Sequence, residues 1–275
     1  MEENRDVHKV VTMCEHLDVS TSGYYDWRER KPSERAQYDA ILVSQICRMH
    51  VGHQKNYGAI RVHPYLRARD YACSRRRINR LMKAHGIRSI YHAQRPRRYK
   101  GANAPVSDNI LAARPKAAQV GESWAGDMTY LKTAEGELYM AAVLDLYNRK
   151  VVGWGFSSAH NSDLVEGALQ MALAMEERLP GCIFHSDQGS EYRSDEYRRL
   201  LQDSDMVSSM SRAGVPTDNA YVESFFKTLK NELVHHWKFK SKIECVARVV
   251  DYVGFYNNNR LHSGLDYATP NSYQG

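Results

Sequence analysis

CIFHSDQGSEY, residues 182–192, decides the fold: an apolar, β-prone run starts at Cys182, and Asp187 stands where it breaks at Gly189. The pattern predicts a buried strand that delivers a carboxylate to the C-terminal edge of a sheet, the usual ligand rim of α/β folds. Sixty positions upstream, WAGDMTYLKT (residues 124–133) repeats the arrangement, with Asp127 interrupting a run that carries Trp124, Met128, Tyr130 and Leu131. A carboxylate buried there without a partner would be costly.

A third acid, Glu223, follows Asp187 with thirty-five residues between them, inside DNAYVESFFKTLKNEL, residues 218–233. Gly214 and Pro216 precede the capping residues Thr217, Asp218 and Asn219, which predicts a helix running to about Val234. Val222, Phe226, Leu229 and Leu233 recur as a buried stripe, and Asn219, Glu223, Lys227 and Lys230 share an adjacent polar one. Glu223 and Lys227 are also spaced for an ordinary helical ion pair, worth only about 0.3–0.5 kcal/mol. The chain has 32 Asp and Glu residues, so spacing alone carries little and the local context decides. Three carboxylates, two from strands and one from a helix, can hold Mg²⁺ or Mn²⁺ through oxygen ligands. Two such ions, roughly 3.5–4 Å apart, flank a phosphodiester, one activating the attacking oxygen and the other stabilising the leaving one.

GDMTYL (126–131), HSDQGSEY (185–192), SMSRAGVPTDNAYVESFFKTLKNEL (209–233) and FYNNNRLHSGLDYATPNSY (255–273) resemble the integrase-core signatures of insertion-sequence transposases of the IS-three group. The resemblance is to their second-reading-frame product, OrfB, and extends over residues 36–275 with the motifs in order. It implies a retroviral-integrase-like, RNase H-like catalytic fold in which Asp127, Asp187 and Glu223 match the DDE triad. Lys230 matches the basic residue seven positions after the glutamate. The implied reaction is metal-dependent cleavage of one strand at an element end, after which the freed 3′-hydroxyl attacks another phosphodiester in line, with no covalent enzyme intermediate. Lys230 and Lys227 would position the terminal phosphates, and His185, Gln188 and Asn219 would support the acids. A separate upstream frame would supply an end-recognising helix-turn-helix and a dimerising zipper, as partner or fusion. Two element ends must be handled together, so a dimer or higher oligomer on DNA is expected. Pro115 departs from the pattern, standing where the family carries an aromatic after the arginine.

Charge is unevenly distributed. Residues 1–100 carry 21 Lys and Arg against 10 Asp and Glu, a net of +11, so residues 101–275 sum to −5 within the overall +6. Between Arg61 and Lys100 stand thirteen basic residues and one acid, Asp70. They include Arg75, Arg76, Arg77 and Arg80 of SRRRINR and Arg95, Arg97, Arg98 and Lys100 of QRPRRYK. That is a phosphate-binding footprint, with double-stranded DNA the expected partner, and Tyr71, Tyr91 and Tyr99, interleaved with it, are placed either to pack on sugars and unpaired bases or to join the core. AILVSQICRMH and SRRRINRLMKAHGI read as amphipathic helices on either side of NYGAIRVHPYL, a helix-turn-helix pattern, with Ser74 starting the last helix and Gly86 ending it. VHKVVTMCEHL and DVSTSGYYDWRER predict a similar pair earlier, with Ser20 or Thr21 as cap.

The expected organisation is a basic, all-helical region over 1–100, an Ala- and Pro-rich linker over 101–120, and a catalytic domain over 121–275. Strands are expected at about 124–133, 138–147, 150–157, 182–187 and 206–211, and helices at 162–178 and 194–203 before the Glu223 helix. Three consecutive antiparallel strands followed by alternating helices and strands is the order of a mixed five-stranded RNase H-like sheet. The segment SKIECVARVVDYVGFYNNNR adds a helix, and the polar tail RLHSGLDYATP either folds back or reaches a partner.

The longest apolar run, Leu138–Leu144, is far short of the roughly 18 residues of a membrane span, and MEENRDVHKV is no signal peptide. The expected compartment is the bacterial cytoplasm, at the nucleoid. Five scattered cysteines suggest neither disulfides nor a zinc ribbon; Cys47, His50 and His53 are spaced by three, but a fourth ligand is missing. Two other functions share parts of this pattern. A DNA-binding regulator would leave the three acids unexplained, and a metal-dependent nuclease would lack the joining step.

Overall fold

Five strands, β1 (Ser123–Thr133), β2 (Gly136–Asp145), β3 (Val151–Ser157), β4 (Cys182–Ser186) and β5 (Met206–Met210), form one mixed sheet in the order β3-β2-β1-β4-β5. The computed structural model describes residues 1–90, 109–111, 116–212 and 219–275. β1 and β2 pair antiparallel from Trp124↔Asp145 to Thr133↔Gly136, and β2 pairs antiparallel with β3. β4 runs parallel to both β1 and β5. The β1–β2 hairpin closes at Gly136, whose φ of +102° suits glycine.

β2 shows why the sheet is covered on both faces. Met140, Ala142 and Leu144 belong to one core cluster, while Ala141 and Val143, pointing the other way, belong to a second. The first cluster is completed by α8 (Ala220–Glu232) and α9 (Lys242–Asn258), through Val222, Phe226, Leu229, Val249 and Val253. The second is completed by α6 (Ser162–Met175) and α7 (Asp195–Asp203), through Leu164, Ala168, Leu169, Tyr197 and Leu201. α6 seats closely because β3 offers glycine: a Cβ at Gly153 would lie 2.2 Å from the Ala168 carbonyl oxygen.

β2 ends at Asp145, earlier than the expected residue 147, because this buried carboxylate begins a turn. It accepts from the Gly121 and Tyr147 amides at 2.7 and 2.8 Å and from the Trp124 indole at 3.2 Å. α6 stops at Met175 instead of 178, since Glu176 is already extended ahead of Pro180.

The chain divides into two compact units, Met1–Arg48 and Met49–Gly275. The first contains α1 (Val10–His16), α2 (Thr21–Glu29), capped by the Ser20 hydroxyl, and most of α3 (Glu34–Gly52). The second unit opens with α4 (Ala59–Arg67) and α5 (Arg75–Ala84), which bury Val62 and Leu66 on one helix and Ile78, Leu81 and Met82 on the other. Ser74 caps α5 by accepting from the Arg77 amide at 3.2 Å. The tail after α9 folds back: Asn271 donates to Asn258 at 2.7 Å, and the Tyr273 and Tyr147 rings lie 5.3 Å apart. It also holds the start of the unit, because the Tyr57 hydroxyl donates to the Asn259 carbonyl at 3.1 Å and accepts from the Leu261 amide at 2.7 Å. Among the described residues no helix is long and apolar enough to cross a membrane.

Candidate active site

The parallel pairing of β1 and β4 runs Ser123↔Ile183, Trp124↔Phe184, Ala125↔His185. Asp127 stands within β1 two residues beyond the last of these pairs, and Asp187 follows His185 by two, one residue past the end of β4. Gly126 permits the approach, since a Cβ there would fall 2.6 Å from Cζ of Phe184. Asp187 leaves β4 in a tight turn, its Oδ1 accepting from the Gly189 amide at 2.9 Å.

The residues beside the acids tie neighbouring strands together. His185 is fully buried, with Nδ1 2.9 Å from the Ser209 hydroxyl and Nε2 3.0 Å from that of Ser211. Gln188 donates to the Ser211 carbonyl at 2.8 Å. Asn219 makes no side-chain cap; its amide donates to the Gly126 carbonyl at 3.2 Å instead, fixing the start of α8 against β1 next to Asp127. The other expected caps, Thr217 and Asp218, lie outside the described residues.

One turn beyond Asn219, Glu223 is exposed, as is Lys227, and Lys230 is half-buried with Nζ 5.1 Å from the Tyr130 ring centroid. Electrostatics bind the set together. The Asp127 carboxyl is pushed up to about 7, first by burial and then by the Asp187 charge, with Glu223 adding to the rise and the Met128 amide and Lys230 opposing it. Glu223, exposed as a residue, is raised by the partial desolvation of its carboxyl and by Asp187, and burial lowers Lys230 while Asp127 raises it. Three acids thus share one field with one neighbouring ammonium. Among the described residues no three His, Cys, Asp or Glu side chains are already drawn together as a metal cage, Cys47, His50 and His53 included.

The basic residues divide. Arg75, Arg76 and Arg80 are exposed along α5 and Arg77 is half-buried, whereas Arg95, Arg97, Arg98 and Lys100 lie outside the described residues. Arg61 is half-buried, with Nη1 3.5 Å from Glu232. Glu232 gives no signal in the sequence pattern, which assigns that turn of α8 to Leu233. It is buried, and Arg260 and the Tyr252 hydroxyl both donate to it, at 2.8 Å. A Glu on a helix gives no local sign of burial; its partner stands 28 residues away. Tyr192 is equally silent in the sequence: it is buried near Gly126, and burial holds its hydroxyl well above the usual range.

Residues 117–216 and 204–270 each match families described as Integrase core domain, and residues 37–95 match the HTH-like domain family. The simian T-cell lymphotropic virus intasome structure is similar in fold, with a TM-score of 0.51 at 15% identity, covering 70% of this chain and 66% of that one. The sheet order, the helix layers and these matches define an integrase-core protein with an HTH-like DNA-binding segment, a class of polynucleotidyl transferases.

The chain is 36% identical to the transposase for insertion sequence element IS904 of Lactococcus lactis, over 89% of its length and 98% of the relative's. It is 35% identical to transposase InsF for insertion sequence IS3A of Escherichia coli, over 100% of its length and 96% of the relative's. The chain belongs to the IS3-family transposases, and its function is DNA transposition at insertion-sequence ends.

Proposed function

We propose that Asp127, Asp187 and Glu223 together hold two Mg²⁺ or Mn²⁺ ions, and that the chain cuts one strand at an element end and joins the freed 3′-hydroxyl to target DNA. The observation that carries this reading is the electrostatic coupling of the three carboxylates: Asp127, two residues beyond the paired stretch of β1 and β4, is lifted to about 7 by burial and then by Asp187 and Glu223. Such a cluster calls for positive charge, and its donors are all oxygens, the set that suits hard divalent cations. Bound there, the ions supply Lewis-acid polarisation of the phosphodiester and activation of the attacking oxygen.

The protein's own groups hold and orient. Asn219 fixes the start of α8, the helix that carries Glu223, on β1 beside Asp127. His185 and Gln188 brace the β4 rim against Ser209 and Ser211. Lys230, coupled to Asp127, neutralises charge on the terminal phosphate, and exposed Lys227 contacts the strand beyond it. Arg75, Arg76, Arg77 and Arg80 bind the duplex backbone, and Arg95, Arg97 and Arg98 add phosphate contacts of their own. The protein acts in the cytoplasm on nucleoid DNA, as at least a dimer because two ends react together, with the upstream-frame product as partner or fusion.

A strand-transfer assay tests the reading. Given end-containing DNA with a free 3′-hydroxyl and Mg²⁺ or Mn²⁺, the chain joins it to a target. Degradation without joining would make it a nuclease. DNA binding with neither reaction, unchanged by Glu223→Gln, would make it a regulator.

A further inference from the structure

A cleft of about 840 Å³ opens within the second unit, between residues 56–61, the second half of α5 and its following loop, and Ser263 and Tyr267 of the tail. A groove of about 570 Å³ shares Ala59, Ile60 and Asn79 with it and leads to Arg75 and Arg76 on the basic face of α5. Among the described residues the cleft lining carries three cations, Arg61, Lys83 and Arg88, and no acid. Arg61 is engaged with Glu232, while Lys83 and Arg88 are exposed. The lining is chemically that of a site for an anion with an organic body.

Asn56 gives the body its identity. It lines the cleft, is 1% exposed, and neither its amide nitrogen nor its amide oxygen has a hydrogen-bond partner among the described residues. Buried polar side chains are nearly always paired, because an unmet amide costs stability. An Asn amide presents a donor and an acceptor side by side, the pattern that matches the edge of a nucleobase. Ile60, 60% exposed, and half-buried Tyr267 supply apolar and aromatic surface against which a base can stack. Both lips are conformationally set. Gln54 and Lys55, just before Asn56, have φ of 52° and 62°, and Asp266 and Tyr267 have φ of 50° and 63°. Consecutive non-glycine residues in that region are strained and persist only where the surroundings hold them.

We propose that this cleft receives an unpaired nucleotide of a DNA strand: the base on the Asn56 amide and the Ile60–Tyr267 surface, the phosphate on Lys83 and Arg88. The choice of DNA as ligand rests on the reading of the chain as a transposase. A free mononucleotide shares the chemistry, but the groove leading to Arg75 and Arg76 gives a continuing strand somewhere to go.

The test is equilibrium binding by the full chain in EDTA, so that catalysis plays no part. The probes are a fluorescein-labelled oligodeoxyadenylate and a blunt hairpin duplex of equal phosphate number, with dAMP as competitor. Asn56→Leu should weaken oligodeoxyadenylate binding about tenfold, as expected when one two-pronged base contact is removed, and leave the duplex within about twofold. If Asn56→Leu fails to fold, judged by circular dichroism, the exposed pair Lys83→Ala with Arg88→Ala decides, with the same selective loss expected. Equal losses on both DNAs, or none, would overturn the proposal. So would dAMP binding as tightly as the oligonucleotide, which would mark a small-molecule site. If the wild-type chain bound neither DNA, the transposase reading would fall, and this inference with it.

Discussion

Arg260 and Glu232 form a buried, two-pronged ion pair: Nη2 lies 2.8 Å from Oε1 and Nε 3.0 Å from Oε2, with the Glu232 side chain fully enclosed and that of Arg260 4% exposed. Glu232 stands on the same helix as Glu223 and Lys230. The pair therefore anchors the far end of the helix that carries half of the candidate site. Removing one partner strands a buried charge, which typically costs about 3–5 kcal/mol. Glu232→Ala should lower the urea midpoint sharply, and Arg61→Ala, at 3.5 Å and partly exposed, much less. Equal effects would show that Arg260 is not the principal partner.

Asp127 makes the stability of the metal-free protein depend on pH. Its folded value, about 7, lies above the ordinary 3.8, so the fold favours the protonated carboxyl. Below about pH 4 both folded and unfolded states are protonated and the residue exacts no cost. Between those values the folded state binds the additional proton, so stability falls as pH rises, by an amount on the order of a few kcal/mol. Above about 7 the loss is complete. Urea unfolding in EDTA at about pH 5.5 and pH 8 should show wild type losing stability that Asp127→Asn retains. Since ion binding competes with that proton, apparent Mg²⁺ affinity should rise through the same window. Parallel losses in both proteins would remove Asp127 as the cause.

Glu223→Gln keeps the shape of the side chain and removes the charge that would hold a metal. Strand cleavage should be abolished while duplex binding stays within a few-fold. Ca²⁺, with its looser coordination, should support binding but little turnover. Normal cleavage by the Gln variant would sink the triad assignment, and full turnover with Ca²⁺ would argue against a two-metal site.

Along α5, Arg75, Arg76 and Arg80 are exposed while Ile78, Leu81 and Met82 face inward. Every phosphate that is no longer neutralised lowers the slope of log affinity against log salt by about 0.9 on duplex DNA, so replacing Arg75, Arg76, Arg77 and Arg80 by Ala should flatten it by about 2–4. An unchanged slope together with unchanged affinity would return the cluster to a solvated helix face.

Much of the fold is legible because the sheet strands announce themselves. The apolar run Leu138–Leu144 in β2 and the apolar start of β4 at residues 182–184, with an acid just after that strand, fit a covered sheet with a functional rim. The 60-residue offset that pairs Ser123 with Ile183 also separates Asp127 from Asp187, so both acids follow the paired stretch of β1 and β4 by the same two residues. What escapes is what depends on distant partners. Glu232 reads as one more solvated helix acid until Arg260 arrives, Arg61 reads as a surface cation until Glu232 is seen beneath it, and Asn219 reads as a cap although its amide is spent on Gly126. That β2 ends at Asp145 is hidden because three of the hydrogen bonds it accepts come from backbone amides, which leave no mark in sequence.

The tail's hold on Tyr57 bears on how the protein is born. The two groups that satisfy that buried hydroxyl belong to Asn259 and Leu261, more than 200 residues later in the chain. On the ribosome, the segment that leads into α4 is therefore made early and locked late: a nascent chain that has not reached residue 261 carries α4 and α5 without their final clasp. The clasp therefore closes only once residue 261 has been made, and a polypeptide interrupted before that point would carry the segment around Tyr57 without it.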